Sequence, residues 1–178
     1  MSEYQYYEFR AVDRPLTERE MRELRALSTR AEITSTSFVN IYEWGSFKGD
    51  PEVLIERFFD AFVYVANWGT RWFMLRLPRR LTDGKAFSAY KRGESLQVRK
   101  TVNSVVVDFR AEDEDRECEE DDGWMASLIP LRAELLRGDL RCLYLGWLLG
   151  VQSGEYEHED VEPPIPPGLR NLSAPPEY

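Results

Sequence analysis

The arrangement of this chain depends on the segment "PEVLIERFFDAFVYVA", residues 51–66. Asp50 precedes it and is a favoured helix N-cap residue, and Pro51 suits the first helical position. We therefore predict one helix of about sixteen residues, roughly 24 Å long, ending at Asn67 and Gly69. Apolar side chains nearly encircle this helix, so it must pack on more than one side. They are Val53, Leu54, Ile55, Phe58, Phe59, Phe62 and Val65.

Apolar and aromatic runs on both sides of this segment predict strands. The predicted strands are residues 4–12, one strand within 31–44, and residues 70–78, 94–101 and 103–111. The last two form a hairpin that turns at Val102 and Asn103. A helix begins after Thr17, where Glu20 completes a capping box. Apolar residues on both faces of the 31–44 strand indicate a central strand that is covered on both sides.

Two further helices, about residues 130–137 and 139–152, form a predicted C-terminal hairpin with Gly138 between them. The predicted fold class is α+β, with a mixed, largely antiparallel sheet of about five strands, two helices packed on it and this hairpin, which falls within residues 124–152. Residues 1–153 form the predicted single domain. Residues 154–178 are acidic and then proline-rich, and are predicted to be a tail.

The composition indicates a packed globular protein: 43% of the 178 residues are hydrophobic and 13% are aromatic. The net charge of −9 opposes sequence-independent binding to nucleic acid or anionic lipid. Cys118 and Cys142 are the two cysteines. They form neither a CxxC motif nor a cysteine-rich framework, which fits a reducing compartment where neither thiol needs to be paired. The start of the chain lacks a signal-peptide pattern, and the apolar run at residues 143–151 is about half the ~20 residues of a membrane span. We therefore expect a soluble, cytoplasmic protein without a membrane partner.

The hydroxyl-rich strand around Ser35 and Ser37 suggests a nucleophile, but an activating base is missing nearby. The single histidine, His158, lies in the acidic tail. The glycines of "WGSFKGDP", residues 44–51, could cradle a phosphate. Their spacing matches no phosphate-binding motif, and Asp50 would oppose an anion. We interpret this loop as a turn and a helix cap.

The acidic run at residues 112–122 contains nine carboxylates and one arginine. A solvated loop is the expected structure, with weak divalent-cation binding or contact with a basic partner as alternatives. Asp108 and Glu94 could be neighbours at the ends of the predicted hairpin and hold a metal ion. No metal-binding spacing supports that pair, so we predict neither a metal site nor a cofactor.

The clearest functional signal is basic: residues 71–100 contain nine Lys or Arg and two acids. Aromatic residues alternate with these cations, as in proteins that bind single-stranded nucleic acid. We favour pairing of this segment with the acidic residues 108–122, within the molecule or across a dimer. Binding to nucleic acid or a nucleotide and binding to an acidic protein partner are the alternatives. The predicted binding residues are Arg71, Arg76, Arg79, Arg80, Lys91, Arg92, Arg99, Lys100, Trp72 and Tyr90.

Two blocks of the sequence resemble a group of uncharacterised bacterial proteins of unknown function. They are "FVNIYEWGSFKGDPEVLIERFFDAFVYVANWGTRWFMLRLPRR" and "IPLRAELLRGDLRCLYLGWL". The members are usually longer chains that continue past a segment like "EPPIPPGL". The resemblance implies a bacterial, cytoplasmic protein and suggests that this chain is an N-terminal portion, a natural truncation or an engineered fragment of a longer one. It implies no activity and no site residues.

Taken together, these features favour a non-enzymatic interaction or adaptor module, acting as a subunit or regulator in a bacterial cytoplasmic assembly. Self-association could use the helical hairpin or the face formed by Phe58, Phe59 and Phe62. The alternative is a protein that binds or processes nucleic acid through residues 71–100. A metal-dependent hydrolase is the third hypothesis.

Overall fold

The computed structural model describes residues 3–90, 93–112, 123–157 and 159–169. Within these residues the chain forms seven strands and five α-helices, together with a 3₁₀ turn at Arg79–Leu81. In chain order they are β1 (Gln5–Arg10), α1 (Glu18–Leu27), β2 (Glu32–Ile33), β3 (Ser37–Tyr42), α2 (Pro51–Arg57), β4 (Ala61–Ala66), β5 (Thr70–Pro78), α3 (Gly84–Ser88), β6 (Leu96–Lys100), β7 (Ser104–Glu112), α4 (Trp124–Leu136) and α5 (Arg141–Gln152).

The strands form one sheet in the order β2-β3-β1-β4-β5-β7-β6. Every neighbouring pair of strands is antiparallel. The predicted α+β class is therefore confirmed. The predicted sheet was wrong in two respects, since the described residues form seven strands and their sheet is wholly antiparallel rather than mixed.

The single helix predicted for residues 51–66 was also wrong. Helix α2 ends at Arg57, and β4 begins at Ala61. Strand β4 lies between β1 and β5, so both of its edges are hydrogen-bonded. A strand buried on both faces is apolar throughout, and this pattern resembles that of a helix that is apolar all round. The sequence "AFVYVA" is rich in the β-branched and aromatic residues that fit a strand.

The sheet separates two hydrophobic cores. Helices α1 and α2 lie on one face, where Phe9, Phe38 and Phe62 are fully buried. Helices α4 and α5 lie on the other face, over Leu75 and Val107. Successive β4 side chains enter opposite cores, as the alternation of a strand requires. Burial of β4 on both sides therefore holds the three layers together.

Several local signals are confirmed. The Asp50 carboxylate accepts hydrogen bonds from the N–H groups of Glu52 (2.9 Å) and Val53 (3.4 Å), with Pro51 in the first turn of α2. Thr17 and Glu20 form the predicted capping box at the start of α1. Gly45 has φ of +86°, which supports a turn in the "WGSFKGDP" loop.

The β6–β7 hairpin and the C-terminal helices also follow the prediction in outline. The hairpin turns between Thr101 and Ser104, where the Thr101 N–H donates to the Ser104 carbonyl at 2.9 Å. Helix α4 starts at Trp124, six residues earlier than predicted, so Pro130 lies inside the helix and not at its first position. Gly138 follows α4 with φ of +85°, a conformation that glycine adopts readily.

The described part of the predicted tail lies against the sheet and α3. The Glu155 carboxylate accepts from the N–H groups of Glu94 (2.7 Å) and Ser95 (3.0 Å). The Tyr90 hydroxyl donates to the Pro164 carbonyl at 2.6 Å. These contacts join Glu155 and Pro164 to the segment between α3 and β6. The division into a domain and a tail stays a prediction.

A buried ionic network fixes one end of β4. The Asp60 side chain is 1% exposed, and its Oδ2 accepts from the N–H groups of Val12 (2.7 Å) and Asp13 (2.9 Å). Its Oδ1 lies 2.5 Å from Arg76 Nη2 on β5 and 3.7 Å from Arg132 Nη2 on α4. Arg132 also pairs with Asp13 at 2.8 Å. One carboxylate therefore connects the loop after β1 to β5 and α4.

We expect Asp60→Ala to lower the free energy of unfolding by about 3–5 kcal/mol, because it removes the buried acceptor of Arg76 and of the Val12 and Asp13 N–H groups. Urea unfolding followed by circular dichroism measures this change. Asp50→Ala is the matched control, since it removes a solvent-exposed cap and should cost about 0.5–2 kcal/mol. Equal losses in the two variants would contradict the central role of Asp60.

Candidate functional site

Those predicted basic residues that the structure describes do not share one face. Arg76 and Arg99 lie on the α2 side of the sheet, where they pair with Asp60 and Glu52 respectively. Arg71 lies on the opposite side, with its guanidinium carbon 5.9 Å from the centroid of the Trp124 ring. The described cations of the basic segment are thus divided between the two faces.

Other predicted residues lie at the end of the sheet or in its interior. Arg79 Nη1 donates to the Thr101 carbonyl at 3.1 Å, and Arg80 follows it in the 3₁₀ turn. Lys100 Nζ lies 2.6 Å from the Gly84 carbonyl oxygen. Tyr90 is buried, so its ring cannot stack on a base in this structure. Lys91 and Arg92 lie outside the described residues, and nucleic-acid binding stays a prediction.

Trp72 and Arg110 belong to a cluster in which arginine side chains pair with carboxylates of this chain. Trp72 Nε1 donates to Asp108 Oδ1 at 2.7 Å, and the Arg110 guanidinium lies 4.2 Å from the centroid of the Trp72 ring. Arg110 Nη2 lies 3.0 Å from Glu52 Oε1 and 3.2 Å from Asp108 Oδ2. Burial lowers the pKa of Arg110, but the hydrogen bonds and attraction of Asp108 and then Glu52 outweigh it and raise that pKa above its ordinary value.

This cluster contains two arginines, Arg99 and Arg110, and two carboxylates, Asp108 and Glu52. Its formal charge is zero, so it does not attract phosphate. Sequence reasoning missed Glu52 and Arg110 because α2 brings Glu52 to the sheet from a distant part of the chain.

The suggested metal pair is not assembled. Asp108 faces Gln97 across the β6–β7 pair, and its carboxylate is bound by Trp72 and Arg110. Among the described residues, no group of three or more His, Cys, Asp and Glu side chains could hold a metal ion. The acidic residues 113–122, with Cys118, and also His158 lie outside the described residues.

The predicted protein-binding face is part of the core. Phe58, Phe59 and Phe62 are 6%, 0% and 0% exposed. The Phe9 ring on β1 lies 5.1 Å from Phe59 and 4.5 Å from Phe62, measured between centroids. The chain's own β1 therefore occupies the face that the sequence analysis assigns to a partner.

Helix α5 presents an apolar face to solvent. Leu145, Leu148, Leu149 and Val151 are 39–43% exposed. The opposite side of the helix packs on the sheet, and a Cβ atom at Gly146 would lie 2.7 Å from Phe109 Cε1. The small residue allows the helix to approach the strand closely. The side of α5 that packs on the sheet is formed by other residues, such as Leu143 and Trp147, so the exposed apolar residues are not needed for that contact.

A small apolar cavity adjoins this face. It has a volume of about 170 Å³, and Trp124, Leu128 and Leu149 from α4 and α5 line it above the sheet. Phe73 and Phe109 also line it, and their rings stack with centroids 4.4 Å apart. We call the exposed residues around it the α5 surface: Trp124, Leu145, Leu148, Leu149 and Val151.

The sequence carried a signal for this surface. Helix α5, "RCLYLGWLLGVQ", has one charged residue, Arg141, whereas an ordinary surface helix has a polar outer face. From the sequence, this apolar run is too short for a membrane span, and the helical hairpin that contains it is one of the two predicted self-association surfaces. Within the described part of the chain, every helix is too short or too polar to cross a bilayer.

Comparison with known proteins finds no matching family model, no similar curated protein and no similar solved structure.

Cys142 on α5 is chemically protected. Burial raises the pKa of its thiol to about 12, and the neighbouring Asp139 and Glu134 carboxylates add to this effect. Since the thiolate is the nucleophilic form, this raised pKa makes Cys142 a poor nucleophile at neutral pH.

We expect Cys142 to react slowly with a thiol reagent such as Ellman's reagent in the folded protein. At pH 8 a thiol of this pKa is ionised in about one molecule in 10⁴, against roughly a quarter for a free cysteine. The Cys118→Ser variant isolates this thiol, and its absorbance time course is compared in buffer and in urea. Folded and unfolded rates within about threefold of each other would contradict the assignment.

Proposed function

We propose that this chain is a non-enzymatic interaction module that forms a homodimer through the α5 surface, as a subunit of a bacterial cytoplasmic assembly. The observation that carries the proposal is the exposed apolar outer face of α5. The bacterial and cytoplasmic setting comes from the sequence resemblance and is part of the proposal.

The first argument is energetic. Burial of apolar surface contributes about 25 cal/mol per Å², and monomeric soluble proteins rarely keep a large contiguous apolar patch exposed. Leu145 and Leu149 are one helical turn apart, so they form a continuous ridge with Leu148 beside it. Trp124 extends this ridge across the cavity. A partner that covers these side chains recovers that free energy.

The second argument identifies the partner as another copy of the chain. The five residues of the α5 surface are uncharged, and Arg141 at the start of the helix is held by Asp139 at 2.6 Å. The cations nearby are Arg71 and Arg110, which line the adjoining cavity, and the Arg71 guanidinium carbon lies 5.9 Å from the centroid of the Trp124 ring. A neutral surface does not select a basic or an acidic partner. A twofold axis through it places neutral surface on neutral surface, although each copy carries a net charge of −9.

The cavity supports the same geometry. Interface binding energy concentrates where an apolar side chain fills a pocket at the centre of a contact. The cavity beside Leu149 and Trp124 is about 170 Å³, the size of one large side chain. In a twofold dimer each copy offers both this pocket and the leucine ridge.

We expect the protein to elute with twice the mass of the 20.9 kDa chain in size-exclusion chromatography with light scattering at tens of micromolar. Leu145→Glu and Leu149→Glu should each shift the mass to that of a monomer, because they bury a charge in an apolar contact. Val102→Glu is the matched control: Val102 is 84% exposed at the β6–β7 turn, far along the chain from α5.

Circular dichroism checks that each variant remains folded. A parent protein that is monomeric at 100 μM would overturn the proposal, and so would a dimer that survives both α5 substitutions. Loss of the dimer in Val102→Glu would place the interface elsewhere on the molecule.

A further inference from the structure

A second surface opens on the α1 side of the sheet. It is a cleft of about 430 Å³ between the end of α1 and the loop after β3, lined by residues 26–30 and by residues within 42–48. None of these described lining residues is an Asp or Glu, although the chain has 32 acids and 23 Lys or Arg. The cleft is thus a local exception to the acidic character of the protein.

Two cations of the cleft are free of carboxylates. Arg30 lines it from the segment after α1 and Lys48 from the loop after β3, and neither forms an ion pair with any residue that the structure describes. Several other arginines, such as Arg10, Arg57 and Arg141, each pair with an acid, whereas Arg25 and Arg79 donate to backbone carbonyls. Since acids are in excess, unpaired cations that line one cleft leave a positive charge that an anion can meet.

Three backbone carbonyls around the cleft already accept hydrogen bonds from side chains of the same chain. Arg25 Nη1 donates to the carbonyls of Ser28 (3.4 Å) and Thr29 (3.2 Å). Gln5 Nε2 donates to the Gly45 carbonyl at 2.8 Å. These carbonyl oxygens, which would repel an anion, are therefore engaged in hydrogen bonds to Arg25 and Gln5.

The hydroxyls are left as donors. The buried Asn40 amide donates from Nδ2 to Ser28 Oγ (2.9 Å) and to the Tyr42 hydroxyl oxygen (2.8 Å). Ser28 Oγ also accepts from the N–H groups of Arg30 and Ala31, both at 3.3 Å. Because the Ser28 and Tyr42 hydroxyl oxygens already accept hydrogen bonds, each hydroxyl can still donate its proton to a ligand.

The cleft also has an aromatic platform. Trp44 is 64% exposed, and the Arg30 guanidinium lies 4.4 Å from the centroid of its ring. The rest of this indole faces solvent, and an exposed indole beside a cation is suited to stacking a planar ring whose substituent is anionic. Asp50, which the sequence analysis expected to oppose an anion, does not line the cleft because its carboxylate caps α2.

We propose that this cleft binds a planar organic anion of the nucleoside-monophosphate class. The base stacks on Trp44, and the phosphate contacts Arg30 and Lys48, with the Ser28 and Tyr42 hydroxyls as further donors. Recognition needs both the ring and the charge. This site lies apart from the α5 surface and does not depend on dimer formation.

Isothermal titration with AMP, adenosine and inorganic phosphate tests the proposal. AMP should bind with a dissociation constant below about 1 mM, and adenosine and phosphate should each bind at least tenfold more weakly. Trp44→Ala and Lys48→Ala should each weaken AMP binding at least tenfold. Both variants should keep the melting temperature of the ligand-free parent, because both side chains are exposed.

Two matched controls change an exposed residue of the same type elsewhere. Trp68→Ala and Lys85→Ala should leave AMP binding unchanged, since Trp68 and Lys85 are exposed and do not line the cleft. Absence of AMP binding at 5 mM, or binding that survives both Trp44→Ala and Lys48→Ala, would overturn the proposal. Phosphate that binds as tightly as AMP would also overturn it, since the ring would then contribute nothing.

Discussion

Strand β4 must be hydrogen-bonded along both edges and covered on both faces, and the rest of the structure follows from this requirement. Its neighbours β1 and β5 supply the edges. Its alternating side chains, such as Phe62 and Val63, enter different cores, so helices are needed on each side of the sheet. A six-residue strand thereby explains why an antiparallel sheet is found between two helical layers.

The start of β4 is set by electrostatics. Asp60 accepts backbone hydrogen bonds from the loop after β1 and pairs with Arg76 on β5, which fixes the register of the three central strands at one end. A buried carboxylate is costly unless its oxygens are fully used, and both oxygens of Asp60 are. Asp60 is also the last residue of the turn between α2 and β4, and the preceding Phe58 and Phe59 side chains are buried in the core.

Local signals in the sequence identified much of the fold. The caps of α1 and α2, the β6–β7 hairpin and β5 each depend on residues close together in the chain, so their patterns predict them. Residues 51–66 failed because complete burial removes the periodicity that distinguishes a helix from a strand. Residues 61–66 form a strand because they pair with β1 and β5, and this pairing cannot be read from a short stretch of sequence.

The basic segment shows a different limit. Alternation along β5 places Arg71 and Arg76, five residues apart, on opposite faces, so charge density along the sequence does not become charge density on a surface. Arg76 and Arg99 do share a face, because both lie opposite Val106 in the register. Their partners Asp60 and Glu52 come from other elements, and tertiary structure alone brings them together. The same holds for the cleft, where Arg30 and Lys48 come from segments on either side of β3.

The two proposed surfaces lie on opposite sides of the sheet, and this arrangement has a consequence for how they work together. Helix α5 packs on one face, whereas the cleft lies beside α1 on the other. A dimer formed through the α5 surface therefore leaves both clefts open to solvent. Coupling between them would have to pass through the central strands, which are held by Asp60 and by packing on both faces. Rigid, close-packed strands do not transmit small changes unless they have a second arrangement, so each cleft of the dimer should bind its ligand independently of the other.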